Sequence, residues 1–201
     1  MPQAVGGQPV RADRRQVRGS SPDAGIRSGA RPDPTGGRRS GPSWGRILAH
    51  GLVAGAAGVA AMTIAEKLEQ ALTRRPNSYV PGHTLEKLLA LPAKPDSERL
   101  WLNWAMHWGQ GIALGPVRAL MAERGIRGPV ASFLFLNLRL LNDQALENAT
   151  GVGAPPWTWP FDEQATDLLH KAVYAYTTGI VSDVLAESED TVRLHEDHYY
   201  E

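Results

Sequence analysis

From Ile47 to Ala65 the chain runs for 19 residues with His50 as its single ionisable group. At about 1.5 Å per residue such a run nearly matches a hydrocarbon core about 30 Å thick. The length predicts a spanning helix over Ile47–Gln70. Gly51, Gly55, Gly58 and Met62 fall on one stripe of that helix, at about 100° per residue. Small residues at this spacing let another helix come close, so helix–helix association through Gly51, Gly55 and Gly58 is expected.

Charge divides the chain unevenly around this segment. Residues 1–46 hold nine Arg against three Asp, a surplus of +6, and the remainder balances it at −6. Residues 1–45 are rich in Gly, Pro, Ser and Arg with almost no large apolar side chain. Such a segment cannot bury enough surface to offset its ordering entropy, and it reads as a disordered tail. Its arginines fit a solvated segment that orients the chain in a membrane, so the expected partner is the lipid bilayer and no nucleic acid is expected. There is no Cys, which excludes disulfides, thiolate metal sites and Cys nucleophiles. The mean hydropathy of −0.29 is low for a membrane protein. The tail, the acidic C-terminus and polar residues inside the helices account for it.

Three further helical stretches follow: roughly Trp101–Ala122, Pro129–Asn148 and Asp167–Glu187. Each has an apolar stretch of adequate length, and each is interrupted by ionisable residues. Pro116 falls inside the second. Between the first two helices, residues 71–100 form a polar loop broken by Pro76, Pro81, Pro92 and Pro95. Within it Thr84–Leu91 reads as a short amphipathic helix capped by Thr84, suited to a membrane surface. The expected fold is all-α: a four-helix transmembrane bundle over residues 46–187, a disordered N-terminal tail, a short amphipathic helix in the first loop, and an acidic C-terminal tail over 188–201. Trp101, Trp104, Trp157 and Trp159 flank the spans on one side, as interfacial aromatics do. The tail is basic, the second loop holds Arg124 and Arg127, and the third holds no Lys or Arg. These short segments place both termini in the cytoplasm, although the 71–100 loop, with five basic residues, opposes that assignment.

Alternating helix direction brings the end of helix 1, the start of helix 2, the end of helix 3 and the start of helix 4 to one level. There lie Glu66, Glu69, Asn103, His107, Asp143, Glu147, Asp167 and His170, with Arg139 and Lys171 on the same helix faces. Ionisable groups inside a membrane turn inward to find partners. Three readings of this polar cluster stand open. It is a structural network in which Arg139 and Lys171 neutralise the acids, in a scaffold or interaction module; or it lines a solute or proton path; or it holds a divalent metal in a membrane enzyme. Neutral His with carboxylates suits Zn, Mn or non-haem Fe, and Glu66, His107, Glu147 and His170 are the candidate ligands. Asn103 and Trp104 stand where a second Glu-x-x-His motif would need its acid, which leaves one metal rather than two. Against a transport path, only Gln110 and Arg118 extend the polar face of helix 2.

Several longer segments carry a resemblance. Glu66-Lys-Leu-Glu-Gln, Arg75-Pro-Asn-Ser-Tyr-Val-Pro81, Asn103-Trp-Ala-Met-His-Trp-Gly-Gln-Gly111, Asp143 through Pro160, and His170-Lys171 are similar to a family of small multi-pass membrane proteins of bacteria and fungi with no established activity. The likeness spans about residues 47–186. It implies a membrane location and nothing about chemistry.

Overall fold

The computed structural model describes residues 43–199, and every regular element among them is helical. The helices are α1 (Trp44–Thr73), α2 (Val80–Leu88), α3 (Leu100–Glu123), α4 (Gly128–Thr150) and α5 (Phe161–Tyr199), with 3-10 turns at Asp96–Glu98 and Pro156–Thr158. The expected disordered tail lies outside the described residues, except that Trp44 and Gly45 already belong to α1. Among the described helices only α1 is long and apolar enough, by its own composition, to cross a membrane.

α1 packs on α3 and α5, and α4 closes the bundle against α5. The expected glycine stripe makes the first of these contacts within the chain itself. Gly51 and Gly55 face Gly111, Ile112, Gly115 and Pro116 of α3, backbone on backbone, while Gly58 faces Tyr174 and Thr178 of α5. α3 runs unbroken through Pro116. A proline has no N–H to return to the carbonyl four residues earlier, here that of Ile112. That carbonyl oxygen faces α1 at Gly55, 2.9 Å from where a Cβ would stand, so the bare glycine makes room for it. The small apolar core sits between the helices and gathers Val59, Met62, Phe135, Leu136, Tyr174 and Ala175.

The loop helix and the last helix differ most from expectation in their boundaries. The loop helix starts at Val80, with Pro81 in its first turn, and Thr84 is an interior residue whose hydroxyl donates to the Val80 carbonyl. A proline at the first turn is a stronger start signal than a hydroxyl. α2 packs on α3 and α4 rather than standing apart. The last helix begins at Phe161, six residues before Asp167, because Asp162 and Glu163 complement its N-terminal dipole. It runs on to Tyr199, so the residues expected as a separate acidic tail from 188 continue the helix.

The glycine seam makes a steep prediction. Gly115→Ala places a methyl group into the Gly51 carbonyl and should lower the melting temperature in neutral detergent by about 5 °C or more. Gly109→Ala, on the same helix with nothing within 4 Å of the new methyl, should leave it unchanged or raise it.

Candidate functional site: a polar chamber at one end of the bundle

A cavity of about 450 Å³ opens where the end of α1, the starts of α3 and α5 and the end of α4 converge. Of the ten residues expected to cluster, all but Glu69 line it. Glu69 turns aside to Arg75, whose guanidinium grips it at 3.0 Å.

Asp143 is the centre of the inner wall. Its side chain is 7% exposed, and it accepts from Gln110 at 2.5 Å, from Arg139 at 3.1 Å and from Lys171 at 3.1 Å. Lys171 also reaches Asp167 one turn earlier on α5, at 2.7 Å. The Arg139 guanidinium lies 5.2 Å over the Tyr174 ring, and the Tyr174 hydroxyl donates to the Gly111 carbonyl at 2.6 Å. Spacing of i and i+4 puts Arg139 with Asp143, and Asp167 with Lys171, on single helix faces. Helix parity supplies the cross-helix contact.

The other predicted residues are less engaged. Among the described residues Glu66 accepts only the Gln70 amide, at 3.0 Å, and His107 meets the Thr63 hydroxyl at 3.2 Å. Among the described residues, Nε2 of His170, Oε2 of Glu147 and Nη1 of Arg139 are buried with no hydrogen-bond partner. Asn103 has a positioning job: its amide accepts from the Gly82 N–H at 2.9 Å and donates to the Ser78 carbonyl at 3.1 Å. It thereby clamps the 77–82 segment as one wall of the chamber.

The metal expectation finds no support in the side-chain arrangement. Glu66, His107, Glu147 and His170 all line the cavity, yet among the described residues no group of three or more His, Asp or Glu is arranged to hold a metal ion. The acid with the richest set of contacts, Asp143, is already filled by two cations and an amide, and His107 is turned to Thr63. No protein-family model, no curated protein and no solved structure matches the chain.

Sequence reasoning missed three features. Gln110 belongs to the Asp143 network. Lys67, Trp104, Trp159 and Glu163 join the lining. The third feature is a second polar group at the far end of the bundle. There Arg118, fully buried, pairs with Asp183 at 2.9 Å, and Asp183 also accepts from the Gly128 N–H at the start of α4. Ser132, Thr178 and Ser182 are buried in the bundle interior, Ser132 beside Gly179 and Arg118. The signal available was the i, i+4, i+8 spacing of Tyr174, Thr178 and Ser182 on one face of α5.

α2 is fixed by charges outside the apolar stretches. Arg99, buried, donates to both oxygens of Glu86, at 2.7 and 3.1 Å, and to Asp96 at 2.6 Å. Its hydrogen bonds hold both carboxyls below their usual values.

Two predictions follow from these contacts. Asp143→Asn strands Arg139 against a neutral amide and leaves Lys171 with Asp167 alone. It should cost about 3–5 kcal/mol, more than Arg139→Met, which leaves Asp143 with Lys171. Adding Arg139→Met to Asp143→Asn should recover part of the loss in a detergent denaturation series. The Asp143 hub is wrong if the double variant is no more stable than Asp143→Asn. For α2, depressed folded-state values mean that the stabilisation from Glu86 and Asp96 is present above the unfolded carboxylate range, near ~4. It is lost as pH falls through the lower folded values. Hydrogen exchange should show the 77–99 segment losing protection on acidification before α3 and α5 do, and Glu86→Gln should show the same loss at neutral pH.

Proposed function

We propose that the chain is a multi-pass membrane protein in which α1, α3, α4 and α5 all cross the bilayer, and whose end chamber binds a small molecule. The observation that carries the membrane reading is the inverted distribution of polarity. Phe133, Leu134, Leu138 and Leu141 of α4 and Ile180 and Val184 of α5 point outward and are exposed. Arg118, Ser132, Arg139, Asp143, Lys171, Thr178 and Ser182 are inside. In water the favourable arrangement is the reverse; in hydrocarbon, polar groups must find partners within the protein. α3, α4 and α5 each bury polar or charged side chains and expose large apolar ones, so averaging over any of them hides its outward face. Exposed Trp101, Trp104, Trp157 and Phe161 at the chamber end fit an interfacial belt. The similarity to small multi-pass membrane proteins supports the same reading. The charges of the tail and the short loops favour both termini in the cytoplasm and the chamber on the opposite side, against the basic 71–100 loop.

The chamber reading rests on the unmatched atoms. A polar cluster that serves only as internal glue has its donors and acceptors paired. Here an imidazole nitrogen, a carboxylate oxygen and a guanidinium nitrogen are left over beside an open volume. Unmatched atoms also stand at Arg118, Thr178 and Ser182 among the described residues; the three at the chamber are set apart by the open volume they border. Transport is the second reading, favoured by the buried Thr178, Ser182 and Ser132, which continue the polar interior from Tyr174 toward Arg118 and Asp183.

The absence of Cys makes the topology directly testable. In sealed vesicles, Ile126→Cys should react with an impermeant maleimide from the same side as Ser43→Cys. Ser78→Cys and Trp157→Cys should react from the other side. Labelling of positions 126 and 157 from one side would show that α4 does not cross.

A further inference from the structure

We propose that the chamber selects an organic ammonium ion, a protonated or quaternary amine carried on an apolar body. This inference rests on the reading of the chamber as a binding site and adds the class of ligand.

The inner wall carries two cations, Arg139 and Lys171, against four carboxylates, Glu66, Asp143, Glu147 and Asp167. Both cations are already engaged: Arg139 with Asp143, and Lys171 with Asp143 and Asp167. Glu66 and Glu147 are left without a cation, and Oε2 of Glu147 is buried with no partner among the described residues. A carboxylate oxygen buried without a partner is costly; a ligand cation relieves that cost at Glu147, and half-buried Glu66 adds a second negative charge beside it. The two other cations of the lining have partners of their own. Arg75 is held by Glu69, and exposed Lys67 binds Gln70 and Asn77. His170, 8% exposed, turns a lone Nε2 to the same space and can accept from an ammonium N–H. The unpartnered Nη1 of Arg139 is a donor. It fits an acceptor such as a hydroxyl or ester oxygen on the same ligand.

The rim supplies the remaining recognition. Trp104 and Trp159 line the cavity with Leu100 and Leu146. Indole faces attract ammonium ions more strongly than any other aromatic side chain, and the leucines cover an apolar body. An anionic ligand of the same shape would meet two free carboxylates.

The test uses the full chain in dodecyl maltoside and two probes of equal body and opposite charge, 4-phenylbutylammonium and 5-phenylpentanoate, read by calorimetry and tryptophan fluorescence. The ammonium should bind at least about tenfold more tightly than the carboxylate. Glu147→Gln and Glu66→Gln should each weaken it about tenfold, with the helical circular dichroism unchanged. Should either Gln variant fail to fold, Trp159→Leu at the rim provides the check, with an expected loss of about threefold for the ammonium alone. Phosphatidylethanolamine added to the micelles separates two sources of the cation. Competition by it, and not by diacylglycerol, identifies a lipid headgroup, and absence of competition identifies a free amine. Binding of the carboxylate as tightly as the ammonium, or ammonium binding indifferent to all three substitutions, overturns the inference while the chamber stands. Failure of both probes to bind overturns the chamber itself.

Discussion

The backbones of α1 and α3 touch, and the rest of the bundle takes its register from that contact. Gly51 and Gly55 meet Gly111, Gly115 and Pro116 with no side chain between them. In the proposed membrane setting lipid supplies no hydrophobic drive to bring helices together, and close packing and polar contacts take its place. A seam of glycines lets the two axes approach further than any other residue would allow. Because the contact is a close fit of backbone into backbone, it also fixes the sliding of one helix on the other. A displacement of one turn, about 5.4 Å, would carry Thr63 away from His107 and Glu66 away from the chamber.

Charge completes what the seam begins. At the chamber end Asp143 joins α3, α4 and α5 through Gln110, Arg139 and Lys171. At the other end Arg118 and Asp183 join α3 to α5, and the Gly128 N–H brings in the start of α4. Buried ion pairs seldom add much stability over apolar packing, but breaking one leaves a stranded charge at high cost. Their effect here is on specificity. A different helix arrangement would leave Arg118, Asp143 or Lys171 alone in the interior. Such a mismatch is worse in hydrocarbon than in water, and it excludes competing packings that the small apolar core could not exclude by itself.

Much of this was legible in the sequence, and the limits were physical. The glycine stripe and the i, i+4 polar faces of α4 and α5 depend on helix geometry alone, and parity of direction then brings those faces to one level. The partner of Arg118 lies 65 residues away on α5, and no local spacing points to it. Asn103 stands on the expected face, yet its role comes from the loop that folds back onto it, which is irregular and unreadable from periodicity. Thr84 looked like a cap because its hydroxyl is of the right type, but Pro81 sets the helix start and the hydroxyl bonds within the helix instead. The metal set failed for a related reason. Spacing shows which carboxylates and imidazoles share a level, but not how each side chain turns: His107 meets Thr63, and no three of the His, Asp and Glu among the described residues are arranged around one point.

The shape of the chamber follows from the order of side chains along α1 and α3. These helices run antiparallel, so reading down α1 meets α3 in reverse. Gly51 faces Gly115 and Pro116, Gly55 faces Gly111 and Ile112, Val59 faces Gly111, and Thr63 faces His107. The partners grow from no side chain to one small side chain to a hydroxyl against an imidazole. Beyond them stand Glu66 on α1 and Asn103 and Trp104 on α3. Larger side chains hold helix axes farther apart, as interaxial distance depends on the residues at the contact. The bundle is closed where the glycines meet and opens toward Glu66. The space left between the diverging helices is filled by polar groups of α4 and α5 and walled by the 77–82 segment. A chamber in this position is thus a consequence of the same glycine seam that holds the helices together, and the carboxylates gather at the end where the packing leaves room for a guest.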